Sequence, residues 1–107
     1  MRSVKPLSLA AVLLLPLCGC GVFHGSVRDP AVDQARAELN QLQADPQLSS
    51  QAPVAMREAE DAVKAAEEPQ KDAKLSAHLA YLAERKVQTA RELAQARIAE
   101  DQLKGLQ

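Results

Sequence analysis

The chain predicts an all-α fold: three helices in an antiparallel hairpin or bundle arrangement, with a long third helix that partly protrudes. Three observations point there. Apolar residues recur at steps of three and four in three separate windows, and nowhere do they alternate at the period of a strand. Prolines 30, 46, 53 and 69 stand at the borders of those windows, where a proline starts or stops a helix. From residue 20 onward, 18 of 88 residues are Ala, and Leu, Ile, Val and Phe together supply 17. Alanine is the best helix former and lets helices approach closely. With Phe23 and Tyr81 as the only aromatic residues, the core must be thin, and walls for a deep pocket are lacking.

The first helix starts at Asp29-Pro30, with Asp as cap and Pro at the first helical position. Val32, Ala35, Leu39 and Leu42 form its apolar stripe, and it stops near Ala44, because Asp45 precedes a proline. Residues 45–52 read as a loop by composition. Pro53 opens the second helix, whose stripe is Met56, Ala59, Val63 and Ala66, with Arg57, Glu60, Asp61, Lys64 and Glu67 toward solvent. Glu68-Pro69 ends it.

The third helix runs from about Asp72 to Lys104, with Gly105 as a stop. Leu75, Leu79, Leu82, Ala83, Ala90, Leu93 and Ala94 share its expected core face, with Val87 and Ile98 on the flank. This helix is roughly 50 Å long, against roughly 22 Å for each of the others. Its first half, with Leu79 and Leu82, is therefore expected to be covered and its second half, from Ala90, to project. The first two helices either form a hairpin or lie end to end along the third. Lys86 and Arg97 fall near the stripe, where they weaken packing or mark the point at which the helix leaves the bundle.

The N-terminal region has a different character. Met1-Arg2-Ser3-Val4-Lys5 carries two positive charges, and an apolar run from Leu7 to Leu17 follows. That run is too short for a membrane span of roughly 20 residues, so it reads as an export signal. It ends in Leu17-Cys18-Gly19-Cys20, which resembles the lipobox of bacterial lipoproteins. Cys18 is the poorer lipidation site, since the bulky Leu17 precedes it. The expected organisation is a lipoprotein signal peptide over residues 1–19, a lipidated tether over 20–28 and a helical domain over 29–107. With Cys18 removed and Cys20 carrying lipid, no thiol remains for a disulfide or a metal.

Eleven basic and fourteen acidic residues remain after residue 19, interspersed, with no basic stripe of the kind that binds nucleic acid. No catalytic, cofactor or metal site is expected. His24 and His78 lack partners at metal-ligand spacing. Glu60-Asp61 and Glu67-Glu68 are adjacent pairs that point about 100° apart on a helix, while Glu60 and Lys64 form a surface pair. Ser49-Ser50 has no Gly-x-Ser-x-Gly elbow, and no glycine-rich phosphate loop exists. Tyr81 lies nearly opposite the leucine stripe. It either packs with Ala77 against a second neighbour or serves as an exposed aromatic anchor for a partner.

The runs Leu42-Gln43-Ala44-Asp45-Pro46, Glu58-Ala59-Glu60-Asp61-Ala62 and His78-Leu79-Ala80-Tyr81-Leu82-Ala83, with Ala90-Arg91-Glu92-Leu93-Ala94 downstream, resemble an uncharacterised helical domain of Gram-negative envelope lipoproteins. The resemblance covers about residues 29–104. In that family the domain is often found N-terminal to an OmpA-like peptidoglycan-binding domain, which is absent from these residues, so no peptidoglycan-binding motif is expected here. The lipoprotein resemblance implies a diacylglyceryl group and an amide-linked acyl chain on Cys20. Gly21 rather than Asp after that Cys favours the outer membrane, with the domain facing the periplasm. The expected role is a lipid-anchored helical interaction or spacer module, with another envelope protein as partner and Tyr81, Ile98 and Leu103 as candidate contacts. The alternatives are a self-associating lipoprotein of coiled-coil type and an envelope enzyme or metal-binding protein. Pro46, Pro53 and Pro69 interrupt any long heptad run and count against the former; no constellation supports the latter.

Overall fold

The computed structural model describes residues 27–107; the expected signal peptide, Cys20 and most of the tether lie outside the described residues. Four helices follow in order: α1 (Ala31–Ala44), α2 (Pro46–Gln51), α3 (Pro53–Glu67) and α4 (Ala73–Gly105). The described residues hold no strand, and one isolated bridge joins Val27 and Gln70. The fold is all-α, as expected. The helix count rises by one.

The additional helix is α2, within the segment expected to be a loop. Asp45 leaves the helical region (φ −92°, ψ 108°), which ends α1. Its carboxylate then accepts the N–H groups of Gln47 (2.9 Å) and Leu48 (3.3 Å), and Pro46 supplies the preset φ of a first turn. One Asp-Pro pair thus closes one helix and opens the next. At the start of α1 the same pair works with a shift of one residue. Asp29 accepts the N–H of Ala31 at 2.9 Å, and the helix begins at Ala31 rather than Pro30. Asp72 caps α4 through the N–H of Lys74, 2.9 Å.

The three long helices run up, down and up. Arg36 and Gln43 of α1 reach Glu67 and Glu60 of α3, so these two form an antiparallel hairpin. Lys86 of α4 reaches Glu58 at 3.2 Å, and Arg91 reaches Glu38 of α1 at 3.6 Å. Gln51, at the end of α2, donates to Asp101 at 3.3 Å. The α1–α2 stretch therefore runs parallel to α4 and follows it well past the end of α1. That answers the choice left open by the sequence: helices one and two form a hairpin, and α2 carries the cover onward along α4.

The core takes Val32, Ala35, Leu39 and Leu42 from α1, and Met56, Ala59, Val63 and Ala66 from α3, the stripes expected residue for residue. In α4 the expectation needs correction. Its buried residues are Ser76, Ala80, Ala83, Val87, Ala90 and Ala94. Leu75 and Leu82 are exposed, Leu82 to 38%, while Leu79 and Leu93 are half-buried at the edge of the core. The physical reason is that α4 faces two helices at once. Its seam lies between them, where small side chains let both backbones come close, and the leucines are displaced to the outer margins.

The projecting part of α4 is also shorter than expected. Ala90 and Ala94 are buried and Ile98 is half-buried, whereas residues 99–107 are exposed. Cover from α2 accounts for the difference. Arg97 donates a guanidinium N–H to the carbonyl of Gln51, and Lys86 pairs with Glu58; both cations bind across helix boundaries rather than disturbing the seam.

Candidate functional site

Among the described residues, the best-developed polar cluster is built on Arg36. Its Nε and Nη2 donate to the two carboxylate oxygens of Glu67 at 3.0 and 2.6 Å. Its Nη1 donates to both oxygens of Glu60 at 3.1 and 3.0 Å, and Gln43 adds a bond to Glu60 at 3.1 Å. Glu60 and Glu67 are seven residues apart, two turns on one face of α3, so they converge although each adjacent acidic pair diverges. Lys64 stands farther from Glu60, at 3.8 Å.

The electrostatics follow from that geometry. The hydrogen bonds from Arg36 hold the Glu67 carboxyl below the usual carboxylate range against the cost of burial. Burial pushes Glu60 up, but bonds from Arg36 and Gln43 and the charges of Arg36 and Lys64 outweigh it, and its pKa is lowered too. Hydrogen bonding to Glu67 leads the causes that raise Arg36. All three groups remain charged at neutral pH, and the guanidinium uses its fork on two carboxylates. The cluster is a clamp between α1 and α3. It contains no nucleophile and no group poised to exchange a proton near neutrality.

A second set of contacts fixes the start of the domain. The Val27 N–H donates to the Gln70 carbonyl, and the Gln70 N–H donates back to the Val27 carbonyl at 2.9 Å. The Asp29 N–H donates to Oγ of Ser76 at 2.9 Å. Ser76 is the one buried polar side chain among the described residues, and this bond gives its hydroxyl a partner. Arg28 pairs with Asp33.

The candidate contact residues do not form one patch. Tyr81 is 57% exposed, on the side of α4 away from the core, and Ala77 beside it is exposed as well. The structure therefore places no second neighbour over them. Leu103 is 63% exposed, beyond the end of α2's cover. Ile98 is half-buried. Cys20 lies outside the described residues. No cavity opens among the described residues, nor do three or more His, Cys, Asp or Glu side chains gather as metal ligands. No helix there is long and apolar enough to cross a membrane.

Sequence reasoning did not find Arg36 or Ser76. Arg36 follows a stripe residue, Ala35, and reads as an ordinary flanking cation until α1 and α3 are paired. Ser76 occupies a seam position one residue after Leu75, where a leucine-weighted stripe hides it.

These features define a small helical module built around an alanine-rich seam. The chain belongs to the family described as Domain of unknown function (DUF4398), whose model matches residues 30–106. No curated protein and no solved structure matches it.

Proposed function

We propose that this chain is a lipoprotein anchored through Cys20 to the periplasmic face of the outer membrane, where its helical domain acts as an interaction or spacer module. The observation that carries the reading is Leu17-Cys18-Gly19-Cys20 behind a basic start and a short apolar run. Two or three acyl chains on one cysteine would anchor it in effect permanently, where a single chain gives marginal binding. The domain suits a spacer: a rod of three long helices tied to one another by the ion pairs Arg36–Glu60, Arg36–Glu67, Lys86–Glu58 and Arg91–Glu38. Tyr81 and Leu103 are the exposed side chains best suited to meet a protein partner in the envelope.

Metabolic labelling with a fatty-acid analogue tests the anchor. The wild type and Cys18→Ser should take up label and Cys20→Ala should not. Label on Cys20→Ala would overturn the reading.

A further inference from the structure

We infer that the α3–α4 turn, residues 68–72, is the membrane-facing end of the domain and that the C-terminal end of α4 is held away from the lipid. The inference rests on the lipid anchor proposed above and adds an orientation to it. Its structural basis is the way the chain joins the bundle. Val27 exchanges two backbone hydrogen bonds with Gln70, and two residues later the Asp29 N–H bonds to the buried Ser76 hydroxyl. These contacts tie the incoming backbone to the α3–α4 turn and to the first turn of α4. The domain thus begins at a fixed place at one end of the rod.

Chain length does the rest. Val27 follows Cys20 by seven residues, and a fully extended chain spans at most about 3.6 Å per residue, so the tether reaches about 25 Å. From the same end α4 runs 33 residues at 1.5 Å each, about 50 Å. A tether of that reach cannot let the domain stand with its far end on the lipid and the α3–α4 turn about 50 Å above it. Lying flat would need a helix face with a continuous apolar stripe and a basic rim. Among the described residues the exposed large apolar side chains fall into separate groups instead: Val27 and Leu75 beside the turn, Val54 on α3, Tyr81 and Leu82 on α4, and Leu103 and Leu106 at its far end, with no stripe running the length of the helix.

Charge does not orient the domain either. Near the turn, Arg28, Arg36, Lys71 and Lys74 stand against Asp29, Asp33, Glu67, Glu68 and Asp72, so this end carries no basic excess. The pinned backbone is therefore the orienting element, and the orientation is indifferent to lipid charge. In this arrangement Leu103 and the last turns of α4 are the part of the domain carried farthest from the membrane.

The test uses the full lipidated chain in phosphatidylcholine vesicles that carry a headgroup donor dye. Acceptor dye is placed on a cysteine introduced by Lys71→Cys or by Gln107→Cys; both positions are exposed. Energy transfer should be at least twofold higher at position 71 than at 107, and the ratio should persist when phosphatidylglycerol is added. Unpinning by Val27→Pro with Ser76→Ala removes one bridge donor and the buried acceptor and frees the chain up to Ala31; the tether then reaches about 40 Å, so the ratio should fall but stay above one. Equal transfer at both positions, or more at 107, overturns the orientation while leaving the anchor intact. A ratio that appears only with phosphatidylglycerol also overturns it, because charge would then orient the domain. Failure of the chain to co-sediment with vesicles is a separate result that overturns the anchor and the orientation with it.

Discussion

Helices α3 and α4 solve the same packing problem in different ways. The 15-residue α3 buries a single stripe, Met56, Ala59, Val63 and Ala66, with large and small residues alternating. The 33-residue α4 lies against both α1 and α3 and buries Ser76, Ala80, Ala83, Val87, Ala90 and Ala94, where Val87 is the one bulky side chain. Eight of the fourteen buried apolar residues of the described chain are alanines, four of them in that seam. What α4 contributes is closeness of approach, whereas α1 contributes most of the large buried volume through Val32, Leu39 and Leu42. Loss of volume should therefore hurt most in α1, and gain of volume should hurt most in α4.

The largest effect should come from Leu39→Ala. Leu39 is the largest fully buried side chain among the described residues, and truncating a buried leucine costs about 2 to 5 kcal/mol. Domains of this kind have only about 5 to 15 kcal/mol to lose. In a fragment covering residues 26–107, the urea midpoint should fall sharply or the cooperative transition should disappear. A change below about 1 kcal/mol, the size of a surface effect, would break the claim that α1 supplies the core volume.

Next comes Ala83→Leu, the reverse operation on α4. Ala83 is fully buried in the seam. Forcing three extra carbons between close helices costs about 1 to 3 kcal/mol. The same denaturant melts check it. A neutral or stabilising result would mean that the seam has room, and that closeness of approach is not what α4 supplies.

Much of this was legible in the sequence, and the misses share a cause. The stripes of α1 and α3 match their helical spacing because each of those helices buries a single face, so period and burial coincide. In α4, Leu75, Leu79, Leu82 and Leu93 dominate any reading by side-chain size, while the seam lies about 100° away along Ser76, Ala80, Ala83 and Val87. Only knowledge that two helices flank α4 puts small residues at the centre. The helix α2 escaped notice because six residues with one apolar side chain, Leu48, carry too little periodicity to register. Its Asp45-Pro46 start is nonetheless the same signal that was legible at Asp29-Pro30. For the candidate sites the limit is more basic. The Arg36 clamp joins residues 24 and 31 positions apart, and no local pattern announces such a pairing.

The clamp sharpens the comparison from the α3 side, since it fixes α3 to α1 and does not touch α4. Arg36→Ala should cost about 1 to 2 kcal/mol. That is below the 3 to 5 typical of a broken buried pair, because the three side chains stay a quarter to a third exposed. The pH dependence has a definite sign. Glu60 and Glu67 have lowered pKa values when folded, so their contribution is fully present above the ordinary glutamate value, about pH 4.3. It is lost as pH falls through their folded values. Urea melts from pH 7 down to pH 2 should show the wild type losing more stability on the acid side than Arg36→Ala. Parallel profiles for the two proteins would mean that the clamp is electrostatically idle.

The smallest effects should come from the leucines that a size-weighted reading of α4 would put at its centre. Leu82 retains 38% exposure and Leu103 retains 63%, and both lie off the seam. Truncation leaves no enclosed cavity, because solvent can fill the space. Leu82→Ala should therefore cost under about 1 kcal/mol and Leu103→Ala under about 0.5 kcal/mol, as at other sites outside the core. Ile98→Ala should fall slightly above Leu103→Ala, since Ile98 is half-buried. If the domain meets a protein partner through the distal turns of α4, Leu103→Ala should reduce crosslinking in cells while its melt stays close to wild type. Should Leu82→Ala prove as costly as Ala83→Leu, the leucine margin is part of the core, and the contrast between a one-faced α3 and a two-faced α4 fails at the point where it matters most.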